Sequence, residues 1–249
     1  MSDAFGLVLQ SPDLPVVLGV IFCAIIIRAI FGFGDVLVSV PILALIIGPR
    51  EAVPLMGLVG ATNALVILIR ERRGVHWQPV RYLLMASICG IPLGAWSLKV
   101  LPERWIAIAL GLVLIAYCAW ALLGRMAIRL HSPRWAWPFG FGAGLMGGAV
   151  AATGPPIVVY SSTQGWSPTE MRATMQGFFL PNGIFIIVSH LVGGLWTPSV
   201  LCTFVLTLPL IAVGLPIGAK IGGRISAPRF EQLTQLVLLG TGVLLLVSS

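Results

Sequence analysis

Phe31-Gly32-Phe33-Gly34-Asp35 interrupts an otherwise apolar run over residues 14–47, and Asp35 is the only carboxylate inside that run. Glycine pairs let a chain leave helical geometry, and an acid in apolar surroundings is costly enough to mark function. The break predicts one helix at 14–31 and a short one at 35–47. Ala152-Thr153-Gly154-Pro155-Pro156 reads the same way, separating 134–151 from 154–164. Proline is favourable just inside a helix start, where its missing N–H would be unpaired anyway. Pro155 and Pro156 therefore predict the first turn of a new helix, with Thr153 as a candidate N-cap. Both short segments are too brief to cross a roughly 30 Å hydrocarbon layer at about 1.5 Å per residue. They are expected as half-spans or re-entrant pieces.

Outward from these breaks, further apolar runs lie at 52–70, 79–99, 105–123, 171–191, 199–220 and 229–248, making ten segments of which eight are long enough to span. Hydrophobic residues are 58% and charged residues 9% of the chain, against about 25% charged in soluble domains. This excludes a soluble catalytic or DNA-binding domain. The net charge of +7 comes from Arg residues in short loops between apolar runs, the signature of membrane topology rather than nucleic-acid binding. Cys23, Cys89, Cys118 and Cys202 all fall inside apolar runs without CxxC spacing, so neither a disulfide framework nor a metal site is indicated. No nucleotide-binding loop or Ser/His/Asp arrangement is found. The chain is expected to be neither an enzyme nor an ATP-driven pump, and no cofactor is expected. Met1 to Leu14 carries Asp3 and Asp13 but no basic residue, so the first helix is expected to stay uncleaved.

Sliding the sequence against itself by 119 residues aligns Pro49 with Pro168, Glu51 with Glu170, Met56 with Met175, Asn63 with Asn182, Gly74 with Gly193 and Trp77 with Trp196. Repeated Trp, Pro, Glu and Asn at one offset indicate duplication. Loop 70–81 holds Arg70, Arg72, Arg73 and Arg81, whereas its partner at 189–200 holds no Lys or Arg. Equivalent loops are therefore expected on opposite sides of the membrane. Basic residues also crowd 124–134 and 220–229, and placing all three basic loops in the cytoplasm puts both termini outside. The expected fold is an all-α polytopic membrane protein of two inverted repeats, each with four long helices plus one short broken or re-entrant helix. The first repeat covers 1–123, a basic cytoplasmic linker 124–133, and the second repeat 134–249.

Inverted repeats with interrupted helices place substrate where half-helix ends offer unpaired backbone groups. Gly32, Phe33, Gly34 and Asp35 from one break, with Thr153, Gly154 and Pro155 from the other, are the candidate substrate-binding residues, and two helix N-termini aimed at one point would hold an anion. The alternative is that these glycines only allow close helix packing. Asp35 is also the proton-coupling candidate. Arg28, seven residues earlier, is its obvious partner, and a structural ion pair is the competing reading. Asn63, Asn182, Arg172 and Gln176 complete the candidate set; the two Asn residues serve either a pathway or helix-to-helix bonding, and Arg172 either binds substrate or marks a cytoplasmic end. Ser167-Pro168-Thr169-Glu170 is a capping box and Gly48-Pro49-Arg50-Glu51 a weaker copy, so both Glu residues are expected as caps. His190, Trp77, Trp135, Trp137 and Trp196 are expected at the membrane interface.

The runs Gly32-Phe33-Gly34-Asp35, Thr153-Gly154-Pro155-Pro156-Ile157-Val158-Val159-Tyr160, Gly165-Trp166-Ser167-Pro168 and Arg172-Ala173-Thr174-Met175-Gln176-Gly177-Phe178-Phe179-Leu180-Pro181 resemble the TauE/SafE family of sulfite exporters and related permeases. The resemblance covers nearly the whole chain. It implies export of sulfite or small organosulfonates, or movement of another sulfur-containing anion; the expected function is a secondary transporter or exporter of sulfite or a C2 organosulfonate in a bacterial inner membrane, proton coupling being a further expectation. An anion channel, or a membrane scaffold or assembly subunit without transport, is the alternative. The partners expected are a small anionic substrate and the lipid bilayer, with no nucleic acid; self-association into a homo-oligomer is left open.

Overall fold

A computed structural model describes residues 2–71, 74–122, 130, 132–222, 239–240 and 243. The described chain runs through α1 (Ser2–Leu9), α2 (Leu14–Phe31), α3 (Asp35–Ile47), α4 (Pro49–Glu71), α5 (Trp77–Val100), α6 (Glu103–Leu122), a short 3-10 turn, α7 (Ala136–Val150), α8 (Gly154–Ser162), α9 (Pro168–Val192) and α10 (Pro198–Gly222). The molecule is an all-α polytopic membrane protein. Most of segment 229–248 and the basic stretches at 124–129 and 223–229 lie outside the described residues.

Two elements depart from the expected segments. A helix at Ser2–Leu9 precedes the first apolar run. Among the described residues five helices, α2, α4, α5, α9 and α10, are long and apolar enough to cross a membrane, and of the eight spans expected 229–248 lies mostly outside those residues. The second departure is α7, which is confined to 15 residues. It begins after the 3-10 turn Pro133–Trp135 and ends where Ala151 turns left-handed. The outward surface is apolar, as a lipid-facing one must be, with Trp96, Trp105 and Val192 all more than half exposed.

Glycine sets the closest helix contacts. A Cβ on Gly144 of α7 would lie 2.2 Å from the Ser87 carbonyl of α5, and one on Gly148 would lie 2.1 Å from the Ile91 carbonyl. Nothing larger than glycine fits there without parting the backbones, which is the small-residue logic of membrane helix pairs. At the repeat offset, α10 packs on α2 through Gly214, Gly218 and Gly222 against Ile25, Ala29 and Ile30. Between these two pairs α4 crosses α9, with Gly57 beside Ile186 and His190, and Ala61 beside Gly183. These two helices, which align at the 119-residue offset, run antiparallel.

The expected capping box at α9 is present: the Ser167 hydroxyl accepts from the Glu170 N–H, and the Ser167 N–H donates to the Glu170 carboxylate at 2.9 Å. Its copy is not. Glu51 instead accepts from the hydroxyl of Ser199 at 3.0 Å, tying α4 to the start of α10. His190 is buried rather than interfacial, with Nε2 at 2.9 Å from the Gly148 carbonyl. Trp77, Trp135 and Trp137 are exposed, whereas Trp196 packs partly buried against the core.

Candidate functional site

The break after α2 is built on two left-handed glycines. Gly32, at φ 81°, returns its N–H to the Arg28 carbonyl at 2.7 Å and ends α2. Gly34, at φ 98°, begins α3. The reversal lets Arg28, in the last turn of α2, meet Asp35, the first residue of α3. Arg28 Nη1 donates to Asp35 Oδ1 at 2.9 Å, and Asn63 Nδ2 on α4 donates to Oδ2 at 3.1 Å. Both charged groups are buried, Asp35 to 1% exposure. The start of a helix favours the carboxylate there, and the ion pair offsets the cost of burying either charge alone.

Gln176 on α9 locks this arrangement from the other half of the chain. Its Oε1 accepts from Arg28 Nη2 at 2.9 Å, and its Nε2 donates to the Gly32 carbonyl at 2.6 Å. The ring of Phe179, one turn further on, lies 4.9 Å from the Arg28 guanidinium carbon, a favourable cation–π distance. Of the five buried side-chain polar atoms without a hydrogen-bond partner among the described residues, three lie here: Arg28 Nε, Asn63 Oδ1 and Asn182 Nδ2.

The break after α7 has a similar backbone and different side chains. Ala151, at φ 55°, is left-handed and returns its N–H to the Gly147 carbonyl at 2.9 Å. α8 then starts at Gly154 with Pro155 and Pro156 in its first turn, as expected. Thr153 does not cap it. Its backbone is right-handed helical, at ψ −13°, and its side chain accepts no capping bond, since a side-chain cap needs the extended conformation that turns the oxygen back toward the helix. Asn182, the repeat partner of Asn63, pairs its amide oxygen with the Ser87 hydroxyl of α5 instead of with a charge.

The two breaks share one cavity. A space of about 20 Å3 is lined by Arg28, Phe33, Gly34 and Asp35 from the first break and Ala151, Ala152, Thr153 and Gly154 from the second. Beside it, a cavity of about 30 Å3 is walled by Arg28, Gly57, Gly60, Thr153, Phe179, Asn182 and Ile186, among others. Arg28, Thr153 and Phe179 border both. Each has room for only a water or two. The N-termini of α3 and α8 both open on the first cavity, and their end dipoles favour negative charge there. The α8 end offers fewer donors, because Pro155 and Pro156 have no N–H.

Most of the candidate residues converge. Gly34, Asp35, Phe33, Thr153 and Gly154 line the shared cavity, Asn182 lines the neighbouring one, and Asn63, Gln176 and Gly32 hold the ion pair in place. Pro155 is buried in the first turn of α8. Arg172 stands apart: it donates to the carbonyls of Ile30 at 2.9 Å and Ala29 at 2.8 Å, satisfying the last turn of α2. It borders a separate space of about 40 Å3 together with Arg70. Sequence reasoning placed Arg28 only as a partner of Asp35, whereas the structure puts it on both central cavities. The available signal was that Arg28 is the one cation inside the run 14–47.

A family model for the sulfite exporter TauE/SafE matches residues 17–245. No curated protein and no solved structure matches the chain.

Proposed function

We propose a function from one premise: the chain belongs to the TauE/SafE family of sulfite exporters. It is a multi-pass membrane protein of exporter-type transport function, and the finer reading is as follows. The chain is a secondary transporter of a small sulfur-containing anion, sulfite or a C2 organosulfonate, with its substrate site at the meeting of the two breaks. One observation carries this reading: the cavity bordered by Arg28 and Asp35 draws its walls from both breaks and both helix N-termini. Within it Arg28 supplies the charge, Thr153 supplies a side-chain polar group, with Asn182 on the neighbouring cavity, and the backbone of Gly34 and Gly154 approaches closely because neither carries a side chain.

The halves 1–123 and 134–249, joined by the basic stretch 124–133, are inverted relative to each other and expose the site alternately. Support comes from the antiparallel crossing of α4 on α9 and from Arg70 and Arg172 bordering one space at the same end. That basic end faces the cytoplasm of a bacterial inner membrane, with both termini periplasmic. Asp35, exchanging its partner Arg28 for a proton, couples transport to protons.

Purified protein in proteoliposomes, loaded with sulfite or a C2 sulfonate and diluted into anion-free buffer, provides the test. Saturable efflux that is accelerated by the same anion on the opposite side is expected. A non-saturating flux without such exchange is the result of a channel, and absence of flux for every sulfur anion is the result of a scaffold.

A further inference from the structure

Two of the three nitrogens of Arg28 are engaged. Nη1 faces Asp35 and Nη2 faces Gln176, while Nε, buried with the rest of the side chain, has no partner among the described residues. Arg28 borders both central cavities. The groups facing Asp35 and Arg28 are otherwise uncharged: Asn63 and Gly60 from α4, Thr153 from the second break, and Gln176, Phe179 and Asn182 from α9. Arg172 is turned to the carbonyls of α2, and His190 lies past Ile186 against the Gly148 carbonyl. The site as built is therefore one positive and one negative charge, summing to zero.

An anion added to that site alone would leave a net negative charge among buried groups, which is strongly disfavoured. Asp35 already occupies the guanidinium edge that a substrate oxyanion would use. We infer that Asp35 is a built-in anion which substrate and a proton displace together, so that the empty and the loaded site carry the same charge and a monovalent oxyanion moves with one proton, electroneutrally. The proton adds to the Asp35 carboxylate, its bond to Arg28 Nη1 opens, and the anion takes the Nη1 donor that the carboxylate leaves. Asn63 is suited to follow the change. Its Nδ2 now donates to the ionised carboxylate, and its buried, unpartnered Oδ1 becomes the acceptor for the new O–H when the amide turns over.

This rests on the transport reading above and is tested separately from it. Proteoliposomes containing potassium and valinomycin hold the membrane potential, an impermeant dye reports protons, and the probes are sulfite and ethanesulfonate, the latter a monoanion at every pH used. Wild-type protein is expected to move one proton with each ethanesulfonate, and an imposed 100 mV should leave its accumulation ratio unchanged. A carrier moving one net charge would shift that ratio about fifty-fold. Asp35→Asn, which keeps the shape but takes no proton, is expected to carry the anion without protons and to acquire the voltage dependence. Saturable transport that shifts fifty-fold with voltage in wild type overturns the inference and leaves the transporter intact. No flux of any sulfur anion removes both. Should Asp35→Asn fail to insert, the wild-type proton count and voltage response decide alone.

Discussion

The two helix breaks lie 119 residues apart in the chain, and their backbones agree where their side chains do not. Gly32 and Ala151, 119 residues apart, are both left-handed and both close the preceding helix by returning an N–H to the carbonyl four residues earlier. Arg28 and Asp35, however, correspond to Gly147 and Gly154. The comparison separates two jobs. Backbone geometry makes the concavity and aims two helix ends at it, and a single copy of the ion pair supplies the charge. A second pair facing the first would have filled the cavity; a Cβ on Gly147 already falls 2.6 Å from the Thr153 methyl group.

Removing one charge at the first break should have the largest effect. Arg28→Ala leaves Asp35 buried and unpaired and is expected to cost about 3–5 kcal/mol, read as thermal unfolding in detergent. Gly154→Ala, at the position matching Asp35, should stay within about 0.5 kcal/mol, because its Cβ meets only Phe33 and Leu37 at ordinary distances of 3.7 and 3.8 Å. Equal losses from the two changes would erase the asymmetry.

The asparagines sharpen the same contrast at smaller scale. Asn63→Ala removes a bond to a carboxylate and is expected to cost about 1.5–3 kcal/mol, against about 1 kcal/mol for Asn182→Ala, whose partner is a neutral hydroxyl. Chemical denaturation of the two variants side by side checks the order.

The backbone comparison gives the smallest effects. Gly34→Ala forces a methyl-bearing residue to φ 98° and should cost about 1–2 kcal/mol. Ala151→Gly relieves left-handed strain but loosens the unfolded chain, and should change stability by less than about 0.5 kcal/mol. A large loss from Ala151→Gly would mean that its methyl group, rather than its backbone, shapes the second break.

The long apolar segments, the two breaks and the α9 capping box were legible in the sequence because each depends on neighbours in the chain: hydrophobic length, Gly/Pro punctuation, and Ser167 with Glu170 three residues on. What was not legible depends on residues far apart. Thr153 has the right chemistry for a cap, yet the turn imposed by Ala151 holds it in the wrong conformation. Glu51 mimics a cap in sequence but faces Ser199 on another helix. His190 sits near a helix end, where position suggests an interface, and is buried because Gly57 and Gly148 leave room against it. Arg28 became central only when Gln176 and Phe179, about 150 residues later in the chain, closed over it.

The most direct measurement concerns the anion at Arg28. The double variant Arg28→Gln with Asp35→Asn removes both charges without stranding either and keeps amide groups for Gln176 and Asn63 to bond. Calorimetric titration with sulfite should show saturable binding to the wild-type protein and at least about tenfold weaker binding to the double variant, with the melting temperature kept. Equal affinity in the two proteins would contradict the account and place the anion elsewhere.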